Sequence, residues 1–223
     1  MSNTEGDDQQ KPARSRRWIW IALAPVLIFA GAYLAEQGVG PMTDAERLRD
    51  MVNAMGGRLA EADRESAARI EAQQRDSPLG NYGPEQAMDA TTRSATRAWA
   101  AAGIGIIDES LAKREKILQE SIARIETSRA SDKVKGALLK AIRDAEPNKA
   151  SLSVRIMKAM RAYLAKIAEM VAYLDLNAQA IQLRKGQFEF DDSAAGERYN
   201  KLEHELAALE RELRGLLQQQ RRK

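Results

Sequence analysis

An uncharged apolar run from Trp18 to Ala35 constrains this chain more than any other feature of its sequence. As a helix, these 18 residues would be about 27 Å long, close to the ~30 Å thickness of the hydrocarbon core of a bilayer. Trp18, Trp20 and Tyr33 lie near its ends, where aromatic rings favour the headgroup region. Pro25 lies inside the run and is tolerated better in a membrane helix than in a soluble one. The run therefore predicts a transmembrane anchor over 18–35.

A cleavable signal peptide is the alternative interpretation of the same run. Such a peptide has a shorter apolar core and a cleavage site with small residues, and Ala30-Gly31-Ala32 would serve as that site. The run is longer than a usual signal core, and its aromatic residues are typical of interface anchors. We therefore favour a retained anchor and keep the signal peptide as the alternative.

The charges on either side of the run predict its orientation. Four basic residues precede it: Lys11, Arg14, Arg16 and Arg17. The flank that follows begins with Glu36. By the positive-inside rule the N-terminus is cytoplasmic and residues 36–223 lie outside, whether the run is retained or removed. The polar residues 1–17 are expected to be a disordered cytoplasmic tail.

The inventory of reactive side chains argues against catalysis. The chain has no cysteine, which excludes disulfides, thiolate metal sites and cysteine nucleophiles. Its single histidine, His204, lies off the apolar stripe of a predicted helix, so histidine triads and clustered histidine ligands are not available. Charges of both signs are interspersed, and no basic stripe alternates with aromatics, so we expect no nucleic-acid binding. The sequence therefore predicts no enzyme, no cofactor and no metal site.

Residues 44–223 are patterned as a helical domain, which follows a linker over 36–43 that contains the helix-breaking "GVGP". Thr43 and Glu46 have the spacing of a capping box. Gly56-Gly57 is expected to interrupt the first helix, and the small residues of 98–107 are expected to allow a close backbone approach or a local break. The predicted helices are 44–75, 84–128, 132–145 and 150–178, with a final helix that begins at 193.

The last two helices carry apolar residues at alternating spacings of three and four, the pattern of a packed helix face. In the first of them the stripe consists of Ile156, Met160, Tyr163, Ile167, Met170 and Leu174. In the final helix it consists of Tyr199, Leu202, Leu206, Leu209 and Leu213, and continues at Leu216.

The period changes between these two helices. Residues 181–190 alternate apolar and polar side chains on both sides of Lys185-Gly186, which predicts a β-hairpin. Gly186 lies in the turn. The apolar residues fall on one face, which comprises Ile181, Leu183, Phe188 and Phe190.

The expected architecture is all-α, with a single N-terminal transmembrane helix and an extracytoplasmic antiparallel helical bundle that contains one small β-hairpin. The short hairpin should return the chain so that the two apolar stripes pack on each other. The alternative is that the final helix leaves the domain and forms a coiled coil with a second copy, which would make the protein a homodimer.

The stretch 173–216 carries a further pattern, in which a helix closes in Leu-Asp-x-Asn, a hairpin ends in Phe and an acid, and a helix begins with Asn-x-Leu. The matching residues are Leu174, Asp175, Asn177, Phe190, Asp191, Asn200 and Leu202. In this stretch, about a fifth of its length, the chain resembles a family of uncharacterised bacterial envelope proteins that are helical and often lipoproteins. The chain departs from that family in lacking the cysteine to which lipid is attached. Because the family has no established activity, the resemblance implies a fold and a compartment only.

The sequence thus predicts a non-catalytic interaction module in a bacterial inner membrane, single-pass, with a cytoplasmic N-terminus and most of the chain in the periplasm. Its partners would be the membrane and another envelope or secreted protein. One alternative is an immunity protein that neutralises a periplasm-targeted toxin. A second is a ligand-sensing helical bundle, although sensors usually add a second membrane pass and a cytoplasmic output domain, and we find neither pattern here.

Overall fold

The computed structural model describes residues 42–81, 83–148 and 151–222. The predicted cytoplasmic tail and the predicted anchor at 18–35 lie outside these ranges. None of the helices within them is both long enough and apolar enough to cross a membrane.

The described chain is helical apart from one small antiparallel sheet, which confirms the predicted all-α fold with a single hairpin. The elements in chain order are α1 (Met42–Arg75), a 3-10 turn (Pro78–Asn81), α2 (Pro84–Met88), α3 (Ala90–Glu126), α4 (Asp132–Asn148), α5 (Leu152–Leu176), β1 (Ile181–Arg184), β2 (Gln187–Phe190) and α6 (Ser193–Arg222). Most ends lie within two residues of the predicted ones, which is the usual uncertainty of a helix end. α4 continues to Asn148, three residues beyond its predicted end.

Two predictions about helix continuity are wrong. α1 continues as an α-helix through Gly56-Gly57, where an interruption was expected. The single helix expected over 84–128 is instead divided at Asp89, whose backbone is extended at φ −78° and ψ 122°. The Asp89 carboxylate accepts a hydrogen bond from the backbone N–H of Thr92 at 2.7 Å and so caps α3. A capping side chain competes with helix continuation, and here it starts a new helix.

α3 is the central helix of the fold, with α1 packed on one side and α5 on the other. Its apolar segment 98–107 is helical throughout, so the small residues serve close packing and do not break the helix. A Cβ atom added at Gly103 would lie 2.7 Å from Cδ1 of Leu164 on α5 and 3.0 Å from Nε2 of Gln73 on α1. Gln73 and Trp99 also exchange two hydrogen bonds between α1 and α3, each 2.9 Å long.

One end of the fold, which we call the α4 end, consists of the first half of α1, the last turns of α3, and α4. Its core is aliphatic and consists of Leu48, Val52, Met55, Leu59, Ala62, Ile117, Leu118, Ile125, Ala130, Val134, Leu138 and Ile142. The three helices bury stripes of side chains against one another, and burial of this apolar surface stabilises the end.

α5 and α6 run antiparallel and pack along each other, as the short hairpin between them predicts. The stripe residues that are buried are Ile156, Met160, Ile167, Leu174, Tyr199, Leu202 and Leu216, and those that are half-buried are Tyr163, Met170, Leu206, Leu209 and Leu213. α5 also buries a second stripe that the sequence analysis missed, at Met157, Leu164 and Val171. These residues belong to the cluster that contains Ala100 and Ile107 of α3, so α5 is covered on two sides.

We expect Leu202→Ala to lower the free energy of unfolding by about 2–5 kcal/mol, because it leaves a cavity under a side chain that is only 1% exposed. The matched control is Leu176→Ala, the same change at a leucine that is 86% exposed, which should alter stability by less than about 0.5 kcal/mol. Urea unfolding of residues 36–223, followed by circular dichroism, gives both values. Equal destabilisation by the two variants would show that α6 is not held in the core at Leu202.

Candidate functional site

The opposite end of the fold, which we call the hairpin end, gathers α2, the first turns of α3, the last turns of α5, the hairpin and the start of α6. Its buried centre is formed by Ala87, Leu174, Ile181 and Tyr199. Half-buried residues surround that centre and consist of Met88, Met170, Tyr173, Phe188 and Phe190. The cluster therefore extends from the core to the surface of the domain.

The hairpin has the predicted turn and the predicted apolar face. Ile181 pairs with Phe190, and Leu183 pairs with Phe188, so the four predicted apolar residues share one face. Lys185 and Gly186 have positive φ angles of 52° and 76°. Two central residues with positive φ are typical of the two-residue turn whose twist matches that of the strands. Ile181 is buried, whereas Leu183, Phe188 and Phe190 are half-buried.

Four aromatic rings pack together at this end. Tyr199 of α6 contacts Phe188 edge-on, with centroids 5.3 Å apart, and Phe190 at 5.4 Å. Tyr173 of α5 lies 6.4 Å from Phe190, and its hydroxyl donates a 2.8 Å hydrogen bond to the carbonyl of Ala195. These ring distances are in the favourable range for aromatic pairs. The hairpin is thereby held against both α5 and α6.

An ion pair with a buried arginine fixes the end of α5 to α3. The Arg93 guanidinium is 7% exposed and donates to a carboxylate oxygen of Asp175 at 2.5 Å. Arg93 also donates to the carbonyls of Ala87 and Met88, at 2.9 and 2.7 Å. Arg97, one turn further along α3, pairs with the second carboxylate oxygen of Asp175. Charge-assisted hydrogen bonds of this kind are the stronger ones in proteins, and here they join α2, α3 and α5.

The residues of the 173–216 pattern take structural positions. Leu174 and Leu202 are buried, and Asp175 is the partner of the two arginines. The Asn177 side chain donates to the carbonyl of Tyr173 at 2.9 Å and closes α5. Asp191 and Asn200 are exposed.

The final helix begins at Ser193, as predicted, and Asp192 before it accepts a hydrogen bond from the backbone N–H of Ala194 at 3.0 Å. His204 is exposed on α6, as expected for a solvated helix position. In the part of the chain that the structure describes, no three His, Asp or Glu side chains are grouped so as to hold a metal ion.

The sequence analysis missed the two arginines and Leu176. Arg93 and Arg97 are four residues apart, one turn of a helix, and stand in a segment otherwise poor in charge, which was the available signal. Leu176 lies off the predicted stripe and is 86% exposed. The predicted anchor and topology residues lie outside the described ranges, and comprise Trp18, Trp20, Pro25 and Tyr33 for the anchor and Lys11, Arg14, Arg16 and Arg17 for the topology.

No family model, no curated protein and no solved structure matches this chain.

We expect Asp175→Asn to destabilise the domain by about 3 kcal/mol, because it leaves the Arg93 guanidinium buried without a carboxylate. The amide protons of 181–190 should also exchange faster with solvent, since the hairpin follows the end of α5. Asp191→Asn is the matched control, because the same change at an exposed carboxylate should leave both properties unchanged. Urea unfolding and hydrogen exchange measure the two effects. A normal stability for Asp175→Asn would show that the pair does not hold the hairpin end together.

Proposed function

We propose that the protein is a non-catalytic interaction module of the bacterial envelope. It is anchored in the inner membrane by residues 18–35, with residues 36–223 in the periplasm. Its hairpin end binds another envelope protein or a secreted protein.

The observation that carries the proposal is the partly exposed aromatic cluster at the hairpin end. Of the six aromatic side chains that the structure describes, four are Tyr173, Phe188, Phe190 and Tyr199. Leu176 is three residues from Tyr173 on α5, and residues at that spacing are neighbours on a helix surface. A single exposed leucine is ordinary, but one that borders an aromatic cluster extends an apolar surface. Aromatic residues are enriched at the centres of protein interfaces.

The rigidity of this surface supports the same conclusion. Asp175 precedes Leu176, and its carboxylate is held by Arg93 and Arg97. Asn177 follows it and closes the helix. A surface that is ordered before binding loses less conformational entropy when a partner docks.

The position of the hairpin end suits a partner that approaches from the periplasm. α1 begins at Met42, seven residues after the predicted anchor ends at Ala35. The 34 residues of α1 correspond to about 50 Å of helix. The hairpin end lies at the far end of that length, because the last turns of α1 contact α3 at Gln73–Trp99, Arg93 is six residues before Trp99 on α3, and the α4 end is beside the first half of α1.

The membrane topology has its own test. Alkaline phosphatase fused to the C-terminus should be active, because the positive-inside rule places that end in the periplasm. Activity of a reporter that works only in the cytoplasm would contradict the proposed orientation. N-terminal sequencing of the mature protein distinguishes an anchor from a signal peptide, since a start at Tyr33 would show that the run is removed.

Partner binding is tested by a photo-crosslinking amino acid placed at Leu176 in living cells. We expect a discrete adduct with one other protein from this position. The matched control is Lys158, an exposed position on α5 near the other end of that helix, which should give no adduct of that size. A secreted toxin as the partner would specify immunity as the biological role. The same adducts from both positions, or adducts of two copies of this chain only, would contradict the proposed surface.

A further inference from the structure

A cleft of about 340 Å³ opens between α1 and α3 at the α4 end, far from the proposed partner surface. It is lined by Arg47, Asp50, Met51, Ala54, Met55, Arg58, Ser121 and Arg124. Its volume is at the lower end of the range of small-molecule sites, about 300–1,000 Å³.

The charged lining of the cleft is predominantly basic, with three arginines and one carboxylate, that of Asp50. Among the described residues, neither Arg47 nor Arg124 has a carboxylate within ion-pair distance. The third, Arg58, donates from Nη2 to Glu120 at 2.5 Å. Two of the guanidinium groups are therefore available to an anion.

The second terminal nitrogen of Arg58, Nη1, is buried and has no hydrogen-bond partner. Burial of a donor without a partner is unfavourable, and native proteins contain few such groups. A guanidinium presents donors in a planar fork that matches the oxygens of a phosphate group. An anion that reached this nitrogen would supply the missing acceptor.

Arg124 is placed to act together with Arg58. α1 and α3 are antiparallel, and Glu120, the partner of Arg58, is one helical turn before Arg124 on α3. The two guanidinium groups thus reach adjacent levels of the same cleft. Arg124 also contributes to lowering the pKa of Glu120, although the hydrogen bond from Arg58 is the larger cause.

The rest of the lining is apolar. Met51, Ala54 and Met55 line the cleft from α1, and the hydroxyl proton of Ser121 is donated to the carbonyl of Ile117. Methionine side chains are flexible and polarizable, so they adapt to ligands of irregular shape. An apolar wall below basic groups suits a ligand with an anionic head and an apolar body.

We propose that this cleft binds the phosphate group of an anionic phospholipid, with Arg58 and Arg124 on the phosphate and Met51 and Met55 against the glycerol and the first methylene groups. The choice of a lipid as the source rests on the proposed anchor, because α1 is the first described helix after residues 18–35 along the chain. The choice of phosphate rests on the cleft alone.

The test uses the full chain in an uncharged detergent, with 13C-labelled methionine methyl groups observed by NMR. The eight methionines are assigned by single Met→Leu changes. Short-chain phosphatidylglycerol should shift the Met51 and Met55 signals in a saturable way, and Met157 and Met160, which lie in another cluster, should not respond. Phosphatidylcholine of the same chain length should give a much weaker response, since its net charge is zero.

Variants decide whether the arginines carry the binding. Arg124→Gln, at a side chain with no ion pair to lose, should raise the dissociation constant about tenfold through loss of a charged hydrogen bond. The matched control is Arg64→Gln, at an exposed arginine of α1 outside the cleft, which should change it less than about twofold.

Three outcomes distinguish a lipid site from a site for free phosphate and from no site at all. An equal response to inorganic phosphate at the same concentration supports a phosphate site and overturns a lipid as its source. The absence of a saturable shift at Met51 and Met55, or equal dissociation constants for Arg124→Gln and Arg64→Gln, overturns the site itself. These results are independent of the reporter and crosslinking tests, so the failure of one proposal is distinguishable from the failure of the other.

Discussion

The close packing of α5 on α3 at Gly103 determines the arrangement of the rest of the fold. With Leu164 pressed against the α3 backbone, α5 has one register along α3, and larger residues at Gly103 are excluded. The pairs Arg161–Asp108 and Arg93–Asp175 lie on either side of this contact and follow the same register. Once α5 is placed, the four-residue link from Leu176 to β1 and the hairpin determine where α6 can return.

Buried polar groups reinforce that register at both ends of α5. At its start, Arg114 of α3 pairs with Asp63 of α1, and Ser153 donates to the other oxygen of Asp63 at 3.3 Å. At its end, Arg93 of α3 pairs with Asp175 of α5 and donates a hydrogen bond to the carbonyl of Ala87 in α2, so that the three helices are joined. Removing two charges from water offsets much of the attraction between them, so such pairs contribute less to stability than their geometry implies. Their larger effect is on specificity, because a one-turn slip of α5 would leave Arg93 buried without Asp175 and would separate Ser153 from Asp63.

The features that could be predicted from the sequence are those with local causes. The hairpin follows from its alternation and the Lys185-Gly186 turn, and the α5–α6 packing follows from the spacing of their stripes. The break at Asp89 could not be predicted, because the carbonyls it frees at Ala87 and Met88 are satisfied by Arg93, which is a tertiary contact. The second stripe of α5 was missed since it interleaves with the first. At the candidate site, Phe188, Phe190 and Tyr199 were found by pattern, whereas Leu176 matters only through what surrounds it.

α1 runs as an unbroken helix between the two proposed surfaces and so determines the distance between them. A flexible linker of the same 34 residues would have an average end-to-end distance of about 30 Å and a broad distribution around it. A helix of that length holds its ends about 50 Å apart with little variation. If residues 18–35 anchor the chain as proposed, a partner bound at the hairpin end would be kept at a defined distance from the bilayer. A lipid phosphate held between Arg58 and Arg124, near the middle of the same helix, would be a second attachment to the membrane beside the proposed anchor, and two attachments restrict tilt of the domain more than one does. Restricting tilt raises the effective concentration of the distal surface for any partner that is itself attached to the envelope.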